Sequence, residues 1–257
     1  MNNVTFVVEV FFSFDRPLGE VQINSQWIYE RFKIFQKYTM ASLLNQTFDD
    51  FRIFVLCGKK HEAVTKSLPW HPKVEVYHVQ GEKESSNPKR MRPASKVEGY
   101  DSIDTDYVSI TRINSDDLFH RDLMAEVRDS ISPNGNVSAL FMRRYVVWDI
   151  LKDYITYREI LSRCSPHYTH VFHRSVFKNW DNFMGWHYVN HRFAVAGFPN
   201  KKEIPGWKAC EVRHGFNISD IRRGYIADLS VLDNDKITDR KEMNKIIQEF
   251  GVPGYES

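Results

Sequence analysis

The chain has 257 residues, of which 42% are hydrophobic and 26% are charged, so it can bury a large core. Its formal net charge of +2 is too balanced for a protein that coats nucleic acid, and any anion-binding site must be local. The three cysteines, Cys57, Cys164 and Cys210, have the spacing of neither a disulfide framework nor a zinc site. We therefore expect one domain with reduced thiols in the cytoplasm and no nucleic-acid partner.

The apolar run near the N-terminus, residues 4–12, is the first predicted strand. It contains Glu9 and is far shorter than the ~20 residues that span a bilayer. It also lacks the basic start and the small-residue cleavage site of a signal peptide. The pattern thus predicts neither a transmembrane segment nor secretion.

Strand and helix patterns alternate through the first half of the chain. The predicted strands are residues 4–12, 51–56, 73–79 and 107–113. The predicted helices are residues 27–44, 61–68 and, opened by a proline, 93–100. This alternation favours an α/β fold with a doubly wound, mostly parallel sheet flanked by helices, and a ligand crevice at the carboxyl ends of the strands. The polar stretch between the third strand and the proline, residues 81–92, predicts a mobile loop.

The second half has a less regular pattern. The spacing predicts a helix at residues 121–131, a turn at 132–136 and one strand at 137–147. An irregular, aromatic-rich region follows from about residue 149 to residue 215. Residues 240–250 predict a C-terminal amphipathic helix that Gly251 ends.

An acidic cluster, Asn114-Ser115-Asp116-Asp117, ends the fourth predicted strand. Two carboxylates there can hold a hard divalent cation and leave its other positions to phosphate oxygens and water. Without its context, the cluster fits a helix cap equally well. A second acidic run, at residues 233–235, is typical of an ordinary turn and has too little chain after it to form a second substrate site.

The run TRINSDDLFH at residues 111–120 resembles the TRLDxDDxxH motif of the putative rhamnosyltransferase family, whose members are GT-A glycosyltransferases. Arg31, Phe35, residues 38–47 and Phe51 are similar to the family's segment between its first two strands. Trp207 and residues 212–217 are similar to a later segment. The resemblance covers scattered blocks from about residue 4 to residue 220. It implies a GT-A fold and the transfer of a sugar, with L-rhamnose as the first candidate, from a nucleotide-diphosphate donor to a glycan or other hydroxyl acceptor, with inversion.

The same resemblance implies a metal site. Mn²⁺ or Mg²⁺ would be held by Asp116, Asp117 and His214, whereas Asn114 replaces the first acidic residue of the family motif. It also implies a division of the single domain into a nucleotide-sugar half, an acceptor half and a helical extension, at about residues 1–120, 121–220 and 221–257.

Donor contacts are implied at three further places. Ser13, Asp15 and Arg16 match the positions that touch the nucleobase and ribose, while Arg92 and Lys96 match a segment near the phosphates. Asn114 and Ser115 complete this donor-binding set. Cys57 stands where many relatives have an acidic residue that reads the base, so the nucleotide stays open.

The acceptor hydroxyl needs a general base on the far side of the anomeric carbon from the diphosphate. Asp181 matches the position of the family's base, and His187 and His191 match a histidine-containing segment that contacts the acceptor. Asp149 and Glu159 are further possibilities.

Two other functions stay open at this point. A noncatalytic protein that binds nucleotide sugars or glycans is suggested by Asn114 and by the choice among several bases. A metal-dependent phosphoesterase also uses clustered Asp and His residues, but it predicts metal ligands at several strand ends, and only one rich cluster is visible.

Overall fold

The protein is described by a computed structural model that covers residues 4–13, 23–84, 87–93, 96–131, 138–160, 167–188, 195–214, 231–233 and 236–253. Within these ranges the fold is mixed α/β. The strands, in chain order, are β1 (Val4–Ser13), β2 (Arg52–Gly58), β3 (Val74–Val79), β4 (Gly81–Glu84), β5 (Asn87–Pro93), β6 (Tyr107–Asn114), β7 (Leu118–Phe119), β8 (Ala139–Phe141), β9 (Arg144–Asp149), β10 (Tyr154–Ile160), β11 (Tyr168–His173), β12 (Lys201–Glu203), β13 (Ala209–Arg213) and β14 (Val231–Asp233). The α-helices are α1 (Ser25–Phe35), α2 (Ala41–Leu44), α3 (Glu62–Lys66), α4 (Leu123–Ser130), α5 (Trp180–His187) and α6 (Arg240–Gln248).

Seven strands form the larger sheet, in the order β12-β8-β11-β6-β1-β2-β3. Its β6, β1, β2 and β3 run parallel, because helical or irregular crossovers separate them in the chain. The run of Val and Phe in β1 suits a central strand that is covered on both faces. The predicted mostly parallel sheet is confirmed, although β11 is antiparallel to both β6 and β8.

A second sheet has the strand order β14-β10-β9-β13-β7. The single strand predicted at residues 137–147 is wrong, because β8 belongs to the larger sheet whereas β9 belongs to this one. Alternating strands have the same two-residue period in either sheet, so the pattern does not mark where the chain changes sheets. Residues 132–136, the predicted turn, lie outside the described ranges.

The helical segment predicted at residues 27–44 is confirmed as two helices joined by a π-helical turn, Gln36–Met40. The α1 helix begins where the side chain of Asn24 accepts a hydrogen bond from the Trp27 N–H at 2.9 Å. Its buried face carries Ile28, Phe32 and Phe35, with one charged residue, Arg31, among them.

Two predictions around Pro93 are wrong. Residues 81–92 are mostly a hairpin, β4 with β5, and not a loop, since the register places Glu82 opposite Arg92 and Gly81 opposite Pro93. A local hairpin satisfies its backbone groups without an apolar face, so a polar composition did not exclude it. Pro93 therefore ends a strand and does not open a helix. Among residues 96–100 of the predicted helical segment, which the structure describes, the helical part is a short 3₁₀ turn, Glu98–Tyr100.

The two faces of the larger sheet are covered differently. Val8 and Val10 of β1 pack in a cluster with α1 and with Val147 of the second sheet. Val7, on the other face, packs in a cluster with Phe183 of α5. The helices α1 and α5 therefore lie on opposite sides of the larger sheet.

The C-terminal helix was predicted correctly. Met243, Ile246 and Ile247 of α6 are buried and pack with Trp148 and Val212 of the second sheet. Because the apolar period and the glycine signal are both local in sequence, this element needed no tertiary information. Within the described ranges, no helix is both long and apolar enough to cross a membrane.

We expect Gly251→Ala to lower the free energy of unfolding by about 1–3 kcal/mol. Gly251 has a φ of +69°, and an added Cβ would clash with the Cβ of Asn45, whose amide donates to the Gly251 carbonyl at 2.9 Å. Gly206→Ala is the matched control, because its φ is +80° but its nearest contact would be 3.7 Å away. Urea unfolding should show the larger loss for Gly251→Ala. Equal losses would mean that the backbone angle alone matters.

Candidate active site

The acidic cluster forms a turn at the carboxyl end of β6, beside the end of β1. Asn114 pairs in register with Phe11, and the Asp117 N–H donates to the Asn114 carbonyl at 3.3 Å. Asp116 and Asp117 are only 6% and 2% exposed. Buried carboxylates require compensating partners, and each of the two has its own set.

Asp116 is held by a cation and an imidazole. Arg31 Nη2 lies 2.7 Å from Asp116 Oδ1, and His214 Nε2 lies 3.2 Å from Oδ2. Arg31 also donates from Nε to Ser115 Oγ at 2.9 Å. Burial by itself raises the pKa of Asp116, but the charge of Arg31 and the hydrogen bond with His214 outweigh it, and the net pKa is below its usual value. Asp116 is therefore an ionised carboxylate in a buried group of three.

Asp117 has different neighbours. Its Oδ2 accepts from Asn114 Nδ2 at 2.6 Å and lies 3.0 Å from Nε2 of the fully buried His167. Its Oδ1 accepts from the Val212 N–H at 3.3 Å. Asp117 thus joins the end of β6 to β13, and it is not grouped with Asp116 and His214.

Two of the three predicted metal ligands, Asp116 and His214, contact each other. Asp116 Oδ2 and His214 Nε2 are 3.2 Å apart, and the guanidinium of Arg31 contacts both side chains, with Nη2 2.7 Å from Asp116 Oδ1 and Nη1 3.4 Å from His214 Nε2. One carboxylate and one imidazole fit an ion that takes its other ligands from phosphate and water. Within the described ranges, no three His, Cys, Asp or Glu side chains are grouped as a metal site by themselves. The residues present therefore fit a cation only together with a substrate.

The predicted donor-binding residues outside the acidic cluster belong to two other segments of the chain, around the end of β1 and around the end of β5. Ser13 is buried at the end of β1, paired in register with Cys57. Burial raises the pKa of the Cys57 thiol to about 12, so this residue stays neutral. Lys96 forms an ion pair with Asp101. Arg92 lies in β5, but its side chain is outside the described part, as are Asp15 and Arg16 entirely.

The structure describes two of the three predicted acceptor-side residues, Asp181 and His187, and both lie in α5. Asp181 is exposed in the first turn of α5, on the face of the larger sheet opposite α1 and Arg31. His187, at the end of α5, is fully buried with Nε2 3.3 Å from Glu9 Oε1. His191 lies outside the described ranges.

Glu9 is the centre of a buried polar network that the sequence did not predict. This carboxylate is fully buried in β1 and accepts from the hydroxyls of Tyr100 at 2.7 Å and Tyr188 at 2.8 Å. His187 Nδ1 in turn lies 3.0 Å from His170 Nδ1. The network joins β1, β11 and α5 below the strand ends that carry the acidic cluster.

Comparison with known proteins gives one family. A family model described as "Putative rhamnosyl transferase" matches residues 20–192, which is more than half of the 257-residue chain. The chain belongs to this family. Arg31, Asp116, Asp117 and His167 lie within the matched stretch, and His214 lies beyond it. No curated protein matches the sequence.

Several solved structures resemble the chain loosely. A cytidylyltransferase from Leptospira borgpetersenii serovar Hardjo-bovis is 13% identical, with 81% of this chain and 78% of that one covered and a TM-score of 0.37. Rv0371C of Mycobacterium tuberculosis H37Rv, in complex with manganese, is 13% identical over 86% and 98%, with a TM-score of 0.38. HddC from Yersinia pseudotuberculosis is 12% identical over 80% and 90%, with a TM-score of 0.37. The family assignment rests on the sequence match.

Arg31 and Glu9 were not predicted as site residues, although the sequence contains a signal for each. Arg31 is a charged residue on the otherwise apolar face of α1, and Glu9 is a charged residue within a run that is buried on both sides. Fully buried charges are rare unless they are paired, so both positions predict a partner. His167 has no such signal, because its partner Asp117 is 50 residues away in sequence.

Proposed function

We propose that this protein is a glycosyltransferase that moves a sugar from a nucleotide-diphosphate donor to a hydroxyl group of a glycan or other acceptor, with inversion. The family description makes an activated L-rhamnose the first donor to test. The observation that carries the proposal is the buried group of Asp116, Arg31 and His214 at the carboxyl end of β6. Ligands of α/β sheets bind outside the carboxyl ends of the strands.

The residues of this group have complementary roles toward a diphosphate. Arg31 supplies a positive charge that can attract a phosphate group, and His214 supplies a further donor or ligand. We include Mn²⁺ or Mg²⁺, held by Asp116 and His214, in the proposal. When bound, the cation offsets the negative charge of the departing diphosphate. Asp117 positions β13 through the Val212 N–H, and a role for it as a third ligand stays a prediction.

The other assignments stay predictions of the family resemblance. Ser13, Asp15 and Arg16 would contact the nucleoside, and Arg92 and Lys96 the phosphates. Ser115 and Asn114 would line the same site. Asp181 as the base, with His187 and His191 as acceptor contacts, is likewise untested.

The proposal predicts binding and consumption of at least one sugar nucleotide. UDP-, dTDP- and GDP-sugars, with dTDP-L-rhamnose among them, would be titrated by calorimetry in the presence of excess Mn²⁺. Release of the nucleoside diphosphate would be followed with the same panel. We expect binding of one nucleotide class and slow release even with water as acceptor. Absence of binding across the panel would exclude the proposed function.

Asn114 supports a second candidate, a noncatalytic protein that binds nucleotide sugars. This amide stands at an acidic position of the family motif, and it donates to Asp117 at 2.6 Å. The same panel separates the two functions, because tight binding without any release of nucleoside diphosphate would favour the noncatalytic one.

A further inference from the structure

One face of the second sheet is strongly polar although it is turned inward. Tyr145 and Val147 of β9 pack in the same cluster as the larger sheet and α1, whereas Val146 and Trp148 pack with α6. Directly paired residues share a face of a sheet. By this register the inward face carries seven polar residues on three adjacent strands, which are Tyr145, Asp149, Tyr154, Thr156, Arg158, Glu211 and Arg213.

Glu211 is the carboxylate at the middle of this face. Its Oε1 accepts from Arg213 Nε at 3.1 Å, and no donor among the described residues is bonded to Oε2. The side chains of Glu211 and Arg213 are 21% and 24% exposed, so a small polar ligand can reach both. Arg213 orients the carboxylate through Oε1, and Oε2 can accept a hydrogen bond from a hydroxyl group of a ligand.

The position of β13 relates Glu211 to the acidic cluster. The Val212 N–H donates to Asp117, and His214, immediately after β13, contacts Asp116. Three residues of extended chain separate Glu211 from His214, or ~10 Å between their Cα atoms. Glu211 therefore lies in β13, three residues before His214.

Resting on the proposed function, we propose that this polar face is the acceptor subsite and that Glu211 takes the proton of the reacting hydroxyl. As the acceptor oxygen bonds to the anomeric carbon, the bond from that carbon to the diphosphate oxygen breaks and its electron pair leaves with the nucleoside diphosphate. The hydroxyl proton passes to Glu211 Oε2. Arg213 positions the carboxylate through Oε1.

The electrostatics of the face agree with this role. Burial raises the pKa of Glu211, Arg213 lowers it and Asp117 raises it again, and the net pKa lies above its usual value. A raised pKa makes the carboxylate a better proton acceptor than an exposed glutamate. Asp181, the base expected from the family resemblance, is an exposed residue on the other side of the larger sheet.

The test compares Glu211→Gln, Asp181→Asn and the control Glu203→Gln. Glu203 is also a strand residue paired with an arginine, Arg143, at 3.4 Å, but it lies in the larger sheet. With a donor that the unmodified protein consumes, we expect Glu211→Gln to lower nucleoside diphosphate release by at least about 100-fold, while calorimetry shows an unchanged Kd for the nucleoside diphosphate. Glu203→Gln should leave both values unchanged.

Azide separates a base from a merely structural residue, since azide attacks carbon without losing a proton. In Glu211→Ala, added azide is expected to restore consumption of the donor and to yield the glycosyl azide. Full activity of Glu211→Gln, or a loss confined to Asp181→Asn, would overturn the inference. So would a Glu211→Ala variant that azide does not rescue although it binds nucleotide normally. If the unmodified protein binds no sugar nucleotide, the proposed function fails instead.

Discussion

Asp116→Asn is expected to lower consumption of the sugar nucleotide on the order of 10³-fold and to destabilise the fold by about 3 kcal/mol. The substitution keeps the shape of the side chain but removes the charge that faces Arg31 at 2.7 Å. Since Arg31 is only 6% exposed, its guanidinium would stay buried without its carboxylate. Urea unfolding and nucleoside diphosphate release measure the two effects.

Two further variants test whether the loss of stability comes from the unpaired arginine and is separate from the loss of activity. Asp129→Asn is the matched control, because Asp129 pairs with Arg128 at the surface and its loss should change neither quantity. The double variant Arg31→Met with Asp116→Asn removes both charges of the buried pair, so it should recover most of the lost stability but none of the activity. A double variant as unstable as Asp116→Asn would contradict the assignment of the stability loss to the unpaired arginine.

Glu9→Leu is expected to lower the free energy of unfolding by about 4 kcal/mol, since it leaves buried donors without an acceptor. The hydroxyls of Tyr100 and Tyr188 and the imidazole of His187 all meet at this carboxylate. Glu98→Leu, at an exposed position, is the control and should change stability by less than about 0.5 kcal/mol. The free energy of unfolding of the unmodified protein, Glu9→Leu and Glu98→Leu would be measured by chemical denaturation at neutral pH.

The same carboxylate predicts a dependence on acid. Burial alone raises the pKa of Glu9. The charge of His187 and the hydrogen bonds with His187, Tyr100 and Tyr188 together lower it by more, so the net pKa is below the usual 4.5. A lowered pKa in the folded state means that the stabilisation is complete above pH 4.5 and is lost as the pH falls through the folded-state pKa. Glu9→Gln should therefore lose less stability than the unmodified protein between about pH 4.5 and pH 3. Parallel acid profiles of the two proteins would exclude this role of Glu9.

Much of the first half of the fold could be predicted because its signals are local. The strand β1 is rich in Val and Phe, and β6 leads directly into the acidic cluster. The C-terminal helix has an apolar face and a glycine at its end, where a positive φ is required. The hairpin of β4 and β5 was missed because polar strands have a composition similar to that of loops.

The composition of the candidate site was decided by the tertiary structure. The sequence by itself determined that two aspartates follow a buried strand, and the family motif nominated His214 as a partner. That Asp116 meets Arg31 and His214, 98 residues later, while Asp117 meets His167 and β13, depends on strand order and crossovers. Adjacent residues in a turn point to different neighbours, and the period of a strand or helix carries no information about which distant element those neighbours come from.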